Sequence, residues 1–191
     1  LKFSVLTNFL LLRKTQGMLT DITRNLEIFS IKKNDLSIIA SIFAKYLKKK
    51  DLILLSGKVG SGKTEFSRLI IKAKAKKEKL YIEEVSSPTF SLIQTYEFRD
   101  SNVSHIDLYR IESEAELFEL GMPDLFDTQI TLVEWPEILE TKNYVRYVKF
   151  NIRENKKFED HRDIEIKFVG RGWDDLLASL LKSEYFKSGN I

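Results

Sequence analysis

The sequence contains no cysteine, and only two histidines, His105 and His161, among its 191 residues. The absence of cysteine excludes disulfide bonds, thiolate catalysis and thiolate-ligated metal centres. Two histidines are too few for a histidine-rich zinc site. Basic residues number 31 and acidic residues 28, which leaves a net charge of only +3. A dedicated DNA-binding domain carries a stronger and more clustered basic excess, so charge alone predicts no nucleic-acid binding, although acidic phosphate ligands stay compatible.

Long hydrophobic runs are also absent. No stretch approaches the ~18 consecutive apolar residues of a membrane-spanning helix, so we expect no membrane partner and a cytoplasmic location. The segment 1–12 is mostly apolar, but it lacks the small-residue cleavage site of a signal peptide. We interpret residues 1–17 as a leader that is disordered or not native, because Met18 precedes the first folded-looking pattern.

The composition predicts one globular domain, over residues 18–191. Hydrophobic residues make up 43% and charged residues 31% of the chain, as in a protein that buries a core. Strand-like and helix-like patterns alternate, which predicts an α/β fold with a central mixed sheet flanked by helices. Predicted strands lie at 26–31, 51–56, 90–98, 103–108, 130–134, 144–152 and 164–169, the last two antiparallel. Predicted helices lie at 34–49, 63–77 and 113–120, and a last one begins near Asp174.

The strongest motif is GKVGSGKT at 57–64, which matches G-x-x-x-x-G-K-[ST]. Its three glycines let the loop turn tightly, so that main-chain N–H groups can point at phosphate oxygens. Lys63 supplies a charge for the β- and γ-phosphates, and the Thr64 hydroxyl suits Mg²⁺. A chance match would not require the apolar strand before the loop or the helix after it. The sequence therefore predicts ATP and Mg²⁺ binding by Val59, Gly60, Ser61, Gly62, Lys63 and Thr64.

Acidic residues end two other predicted strands, as a P-loop site requires. Asp107 ends one strand and Glu134 ends a more apolar one. Either could be an ordinary solvated carboxylate, but Glu134 is favoured because a carboxylate beside a buried strand is costly unless it is paired. Thr89, after Pro88, could offer a hydroxyl to the metal or the γ-phosphate as switch loops do. Taken alone, that segment is an ordinary turn before a strand.

Five segments together resemble the bacterial TsaE family (also called YjeE), the ATPase of tRNA threonylcarbamoyladenosine synthesis. They are GKVGSGKTEFSR at 57–68, SSPTF at 86–90, HIDLYR at 105–110, ELFELGMPDLF at 116–126 and VEWPE at 133–137. The resemblance spans about residues 26–169. HIDLYR and VEWPE after a P-loop are far more specific to this family than the P-loop itself.

The resemblance implies a role for each matching residue. Lys63 and Thr64 would bind the phosphates and Mg²⁺. Asp107 would support the metal and its water, and Glu134 would approach the magnesium. We therefore expect Lys63, Asp107 and Glu134 to be catalytic, and the metal ligands to be Thr64, Glu134 and Asp107. Which carboxylate positions the attacking water stays open.

The resemblance also implies partners. Thr89 would belong to a switch-like loop, and Trp135 would shape the site or a partner surface. Family members act with the proteins TsaB and TsaD, where ATP hydrolysis is thought to reset the transferase, and tRNA is reached only through that complex. The chain departs from the family pattern at Glu65, where Thr or Ser is common, and at 72–85, which lacks a glycine near the helix end.

Several interpretations stay open. His105 is interpreted as a packing or hydrogen-bonding residue, and the lysines of 72–79 as a solvated helix face, with a tRNA or partner contact as the alternative. Residues 31–36 and 153–162 are candidate neighbours of the base or ribose. Proteins with the same loop can have other functions: a small-molecule kinase, a GTP-dependent switch, or a nucleotide-binding interaction module without catalysis. The absence of an N-K-x-D motif argues against the GTP-dependent switch.

Overall fold

The computed structural model describes residues 23–183, so the predicted leader and Met18 lie outside the described residues. One mixed sheet runs in the order β1-β7-β6-β2-β5-β4-β3, and helices flank it, which confirms the predicted α/β class. The elements are β1 (Thr23–Lys32), α1 (Leu36–Tyr46), β2 (Leu52–Ser56), α2 (Lys63–Glu78), β3 (Ile93–Tyr96), β4 (Val103–Asp107), α3 (Glu114–Glu119), α4 (Met122–Thr128), β5 (Ile130–Glu134), β6 (Tyr147–Glu154), β7 (His161–Val169) and α5 (Asp174–Lys182).

The central strands of the sheet are parallel. β2 pairs in parallel with both β5 and β6, and β4 pairs in parallel with β5, whereas β1, β3 and β7 pair antiparallel with their neighbours. Parallel strands end at a common edge of the sheet, where α/β proteins bind ligands. The loop after β2 therefore lies at the same edge as Asp107 of β4 and Glu134 of β5.

Strand β2 is buried on both faces, as its continuous apolar run predicts. Ile53 and Leu55 belong to the hydrophobic cluster that contains α1, α2 and α5. Leu52 and Leu54 belong to the opposite cluster, with residues of α3 and α4. All four side chains are at most 2% exposed. Burial of this strand fixes the position of the loop that follows it.

Several boundaries differ from the predicted ones. The strand predicted at 90–98 is shorter, because Leu92 has a positive φ of 64° and donates to the Pro88 carbonyl in a turn. The prediction missed helix α4, which follows Gly121 at a φ of 68°. A left-handed glycine ends one helix and allows a new direction for the next. The helix predicted to residue 49 ends at Tyr46, because the next residue is extended.

The interpretation of the lysines at 72–79 as one solvated helix face is wrong for Lys74 of helix α2. Lys74 is only 2% exposed, and it forms an ion pair of 2.7 Å with Glu78. The missing glycine is replaced by Lys79, which adopts a left-handed φ of 56° at the helix end. No helix in the described part of the chain combines the length and the apolarity needed to cross a membrane.

Candidate nucleotide-binding site

The segment 57–62 turns sharply between β2 and α2. Gly57, Gly60 and Gly62 have φ angles of 143°, 79° and 108°, in the region that favours glycine. Gly57 has a second constraint, because a Cβ atom there would lie 2.3 Å from the carbonyl oxygen of Ile152 on β6. The glycines of the motif are therefore required by the path of the loop.

The start of α2 offers main-chain N–H groups that have no helical acceptor. Phe66 donates to the Gly62 carbonyl at 2.9 Å, which is the first hydrogen bond between the helix and the loop. Within residues 23–183, the N–H groups of Gly62, Lys63 and Thr64 find no main-chain acceptor. Unpaired N–H groups and the positive end of a helix favour a bound anion.

The ammonium group of Lys63 lies inside the loop. It donates to the carbonyl oxygens of Gly57 at 2.7 Å and Lys58 at 3.0 Å, and it lies 3.8 Å from the centroid of the Trp135 ring. Burial lowers the pKa of Lys63, although the nearby carboxylates of β5 and β4 act in the opposite direction. Phosphate oxygens bind an ammonium group more strongly than carbonyl oxygens do, so a phosphate would compete for this cation.

Thr64, Glu134 and His105 form a chain of hydrogen bonds. The Thr64 hydroxyl donates to Oε2 of Glu134 at 2.8 Å, and Oε1 of Glu134 lies 2.7 Å from Nε2 of His105. The side chains of Glu134 and His105 are 2% and 0% exposed. The structure thus brings together Thr64 and Glu134, which were predicted as metal ligands, and shows that His105 is a hydrogen-bonding residue.

Asp107 and Thr89 form a second network on the neighbouring strand. The Thr89 hydroxyl donates to Oδ2 of Asp107 at 2.9 Å and lies 2.9 Å from the Ser87 hydroxyl. The main-chain N–H of Tyr109 donates to Oδ1 of Asp107 at 2.9 Å. The loop that carries Thr89 is therefore held against the end of β4 by this hydrogen bond and by a main-chain hydrogen bond of 3.0 Å from Asp107 to the Leu92 carbonyl.

The two networks lie next to each other. Asp107 and Glu134 occupy paired positions on β4 and β5. Among the described residues, no hydrogen bond joins the Asp107 side chain to Thr64 or Glu134. The assignment of Asp107 to the metal stays a prediction.

Trp135 and Val59 differ in how their side chains relate to the loop. Trp135, at a φ of 55°, contacts Lys63 and lies 5.0 Å from the Tyr109 ring, measured between centroids. Val59 is 77% exposed and lies at the rim of the cavity beside the loop. A cavity of about 840 Å³ lies between the loop start, Tyr109, Trp135 and Lys149. Trp135 therefore lies at the loop, and its role in shaping the site or a partner surface stays a prediction.

The oxygen donors of the site fit magnesium held together with a phosphate ligand. No group of three or more histidines and carboxylates that could hold a metal occurs within the described range 23–183. Mg²⁺ commonly takes one or two protein carboxylates and completes its shell with phosphates and water. The Thr64 hydroxyl and the Glu134 carboxylate are hard oxygen donors of this kind, so this donor set fits a metal–nucleotide complex.

Two residues of the site were missed by reasoning from the sequence. His105 was assigned no role at Glu134, although it lies two positions before Asp107 and therefore on the same face of β4. Arg162 was included only in a range of candidate base neighbours. Its side chain is 4% exposed, and it donates to the carbonyl oxygens of Ser61 and Gly60. The one sequence signal for Arg162 is its position in β7, where the alternation of buried and exposed side chains assigns it to the buried face.

Comparison with known proteins gives consistent results. Residues 31–164 match the family model described as threonylcarbamoyl adenosine biosynthesis protein TsaE. The tRNA threonylcarbamoyladenosine biosynthesis protein TsaE of Rickettsia typhi is 42% identical over 101 residues, which cover 53% of this chain and 67% of that protein. The protein of the same name from Bacillus subtilis is 30% identical over 157 residues, covering 81% of this chain and 93% of the relative.

A solved structure shares the fold. The crystal structure of Bacillus subtilis YdiB superposes with a TM-score of 0.59 at 23% identity, over 83% of this chain and 95% of that chain. The family model covers most of the described residues, and both relatives are at least 30% identical over two thirds or more of their own length. The chain therefore belongs to the TsaE family.

Proposed function

We propose that this chain hydrolyses ATP with Mg²⁺ and thereby supports turnover of the TsaB–TsaD transferase that makes threonylcarbamoyladenosine on tRNA. The observation that supports the proposal most strongly is the 2.8 Å hydrogen bond from Thr64 to Glu134. It joins the hydroxyl of a phosphate-binding motif to a buried strand-end carboxylate. These are two oxygen groups that P-loop enzymes use to hold magnesium and its waters.

The residues around the loop then have separate tasks. The main-chain N–H groups at the start of α2 and the Lys63 ammonium stabilise the charge that develops on the phosphate oxygens. Mg²⁺, when bound, neutralises charge and fixes the phosphates in position. Thr64 and Glu134 orient that ion and its waters through their oxygen atoms. His105 holds the far oxygen of Glu134, so that the near one faces Thr64.

We assign Asp107 to positioning the attacking water. We assign Thr89 to a change of the loop at 86–92 when a γ-phosphate is bound. The contact between them is one hydrogen bond of 2.9 Å. A phosphate oxygen is a charged acceptor, as the Asp107 carboxylate is, so the Thr89 hydroxyl can exchange one for the other and keep a charge-assisted hydrogen bond. A γ-phosphate could therefore recruit Thr89 and alter the surface of this loop, where Phe90 is 91% exposed.

The proposed role in tRNA modification is supported by the names of two relatives. Proteins of the family in Rickettsia typhi and Bacillus subtilis are named for tRNA threonylcarbamoyladenosine biosynthesis. The partners TsaB and TsaD come from the family resemblance, and the cytoplasmic location is part of the same proposal. The same resemblance makes tRNA an indirect ligand, which agrees with the small net charge of the chain.

The test is a reconstituted reaction with TsaB, TsaD, tRNA and ATP. We expect Lys63→Ala, Thr64→Ala and Glu134→Ala each to lower ATP hydrolysis by about 100-fold or more, and to stop repeated rounds of modification. Lys49→Ala and Glu119→Gln are matched controls, because both side chains are exposed and neither belongs to the loop or to the strand ends beside it. The controls should behave as the wild-type protein does.

The outcomes separate the candidate functions. Tight ATP binding without hydrolysis, even with both partners present, would support an interaction module. Transfer of phosphate to a small acceptor faster than to water would support a kinase, and a preference for GTP would support a GTP-dependent switch. Repeated turnover by all three alanine variants would contradict the proposed mechanism.

A further inference from the structure

The guanidinium group of Arg162 lies behind the phosphate-binding loop. Arg162 is near the start of β7, whose first residues share a sheet edge with the end of β2. Nε donates to the Ser61 carbonyl at 2.7 Å, and Nη2 donates to the Gly60 carbonyl at 3.3 Å. Nη1 donates to the carbonyls of Glu159 at 3.0 Å and His161 at 2.7 Å. One side chain thus joins the β6–β7 connection to the loop.

These contacts control the direction of loop N–H groups. In a trans peptide the carbonyl and the following N–H point in opposite directions, and the described residues contain no cis peptide. Holding the Ser61 carbonyl toward Arg162 therefore turns the Gly62 N–H away from Arg162. That N–H is one of the unpaired donors at the start of α2.

The Ser61 carbonyl lies outside the helix itself. α2 begins at Lys63, and Gly62 before it accepts the first helical hydrogen bond, from Phe66. The N–H groups of the first turn are free in any α-helix. Arg162 adds no donor to this set, but through the Ser61 carbonyl it fixes the direction in which the Gly62 N–H points.

Arg162 also brings a buried positive charge that no described carboxylate pairs with. Its side chain is 4% exposed, and all four of its hydrogen bonds go to main-chain carbonyls. None of the described carboxylates forms an ion pair with it. A guanidinium stays protonated in proteins, and a buried charge without a partner is unfavourable. An anion bound in the loop would offset that cost.

We propose that Arg162 is a positioning residue of the phosphate site, which holds the loop in its binding shape and adds a second fixed cation besides Lys63. The proposal rests on the proposed nucleotide function and deepens it, since it assigns the recognition of the phosphate chain to a residue outside the motif. The ligand that it favours is a diphosphate or triphosphate group, whatever base is attached.

The experiment compares Arg162→Met, Arg162→Gln and Arg162→Lys with the wild-type chain. Binding of Mg·ADP and of inorganic pyrophosphate is measured by calorimetry at a temperature where each variant is folded by circular dichroism. We expect Arg162→Met to bind both ligands about tenfold to 100-fold more weakly, because charge-assisted hydrogen bonds are lost. Arg162→Gln, which keeps donors, and Arg162→Lys, which keeps the charge, should each recover part of the affinity.

Arg171→Met is the matched control, because Arg171 is exposed and follows the end of β7 that lies away from the loop. It should bind both ligands as the wild type does. A residue that only stabilises the fold would lower the unfolding temperature and leave both dissociation constants unchanged in the folded variant. That result would overturn the inference.

A measurement on the unaltered chain keeps the test decisive if the variants do not fold. The Nε–H signal of Arg162 in an ¹⁵N spectrum should shift when Mg·ADP saturates the protein, because its acceptor belongs to the loop. An unchanged signal at saturation would also overturn the inference. If the wild-type chain binds no Mg·ADP at all, the proposed function is contradicted. If the wild-type chain binds and hydrolyses the nucleotide and the Arg162 variants bind it as tightly, only the inference about Arg162 is contradicted.

Discussion

The Thr64 hydroxyl and the Glu134 carboxylate lie 2.8 Å apart, although 70 positions separate them in the chain. Parallel pairing of β2 with β5 produces this proximity, because the ends of parallel strands meet at one edge. The carboxylate is therefore available to the same ion as the hydroxyl. Each residue alone is ordinary, and their contact is what makes the edge a candidate magnesium site.

Replacement of Glu134 by Gln tests the role of its charge. The amide keeps the size of the side chain and can still accept the Thr64 hydrogen bond, but it is a poor magnesium ligand. We expect ATP hydrolysis to fall by about 100-fold or more, and ADP binding without magnesium to persist. Magnesium titrations of nucleotide affinity and of hydrolysis measure the effect. Unchanged magnesium dependence would show that Glu134 does not serve the ion.

His105 offers a more selective test of the same carboxylate. Its Nε2 lies 2.7 Å from Oε1 of Glu134, and both side chains are buried. His105→Leu leaves that oxygen without its partner, which should cost about 1–3 kcal/mol of unfolding free energy and weaken magnesium affinity. His105→Gln can present an N–H near the same point, so it should restore the magnesium response more fully than it restores stability.

The comparison of these two variants distinguishes positioning from packing. Denaturant unfolding gives the stability of each variant, and the magnesium concentration for half-maximal hydrolysis gives its metal response. If His105→Leu loses stability but keeps the wild-type magnesium response, His105 only packs against β5. The role proposed for it above would then be wrong.

Local patterns allowed much of the fold to be predicted. Four successive apolar residues in β2 predict burial on both faces, and the motif at 57–64 predicts the loop and the start of α2, because each depends on neighbours in the chain. The missed helix α4 depends on a left-handed Gly121, and the shortened β3 depends on Leu92 at a φ of 64°. A positive φ at a leucine leaves no signal in hydrophobic periodicity.

The site divides in the same way. Lys63 and Thr64 belong to a contiguous motif, so their position follows from sequence. The contacts of Arg162 and His105 come from strand neighbours that are distant in the chain: Arg162 reaches residues 101 and 102 positions away, and His105 a residue 29 positions away. Such contacts depend on the order of strands in the sheet, which hydrophobic patterns do not specify.

Two glycines of the loop predict different consequences of the same substitution. Gly57→Ala introduces a Cβ atom 2.3 Å from the Ile152 carbonyl oxygen at a φ of 143°. Gly60→Ala has a φ of 79° and no atom within 4 Å of the new Cβ. We expect Gly60→Ala to lose about 1 kcal/mol of unfolding free energy from backbone strain alone, and Gly57→Ala to lose at least about 2 kcal/mol.

Urea unfolding of both variants under identical conditions measures this difference. Nucleotide affinity should follow the same order, because the Gly57 substitution must displace the loop or β6. Equal stability of the two variants would show that the close approach to β6 is relieved at little cost. The loop would then be less constrained than its geometry indicates.

Burial lowers the pKa of Lys63, and this predicts a proton-linked step in binding. In the folded chain burial disfavours the ammonium form of Lys63. At any pH below the folded pKa, the full cost of burying this charge is subtracted from the free energy of unfolding. That cost disappears as the pH rises through the folded pKa toward the higher unfolded value. A bound triphosphate favours the ammonium form and raises the pKa again. Binding of Mg·ATP should therefore take up protons at alkaline pH, below the ordinary pKa of lysine.

Calorimetry in two buffers of different ionisation enthalpy at one alkaline pH measures the proton uptake directly. Lys63→Arg is the informative variant, because a guanidinium keeps the positive charge and does not lose its proton in this range. Its binding should show no uptake assignable to this position, whereas the surface control Lys76→Arg should match the wild type. Wild-type binding without proton uptake would mean that Lys63 is already fully charged before the nucleotide arrives. The carbonyls of Gly57 and Lys58, together with the Trp135 ring, would then stabilise the ammonium group enough to offset its burial.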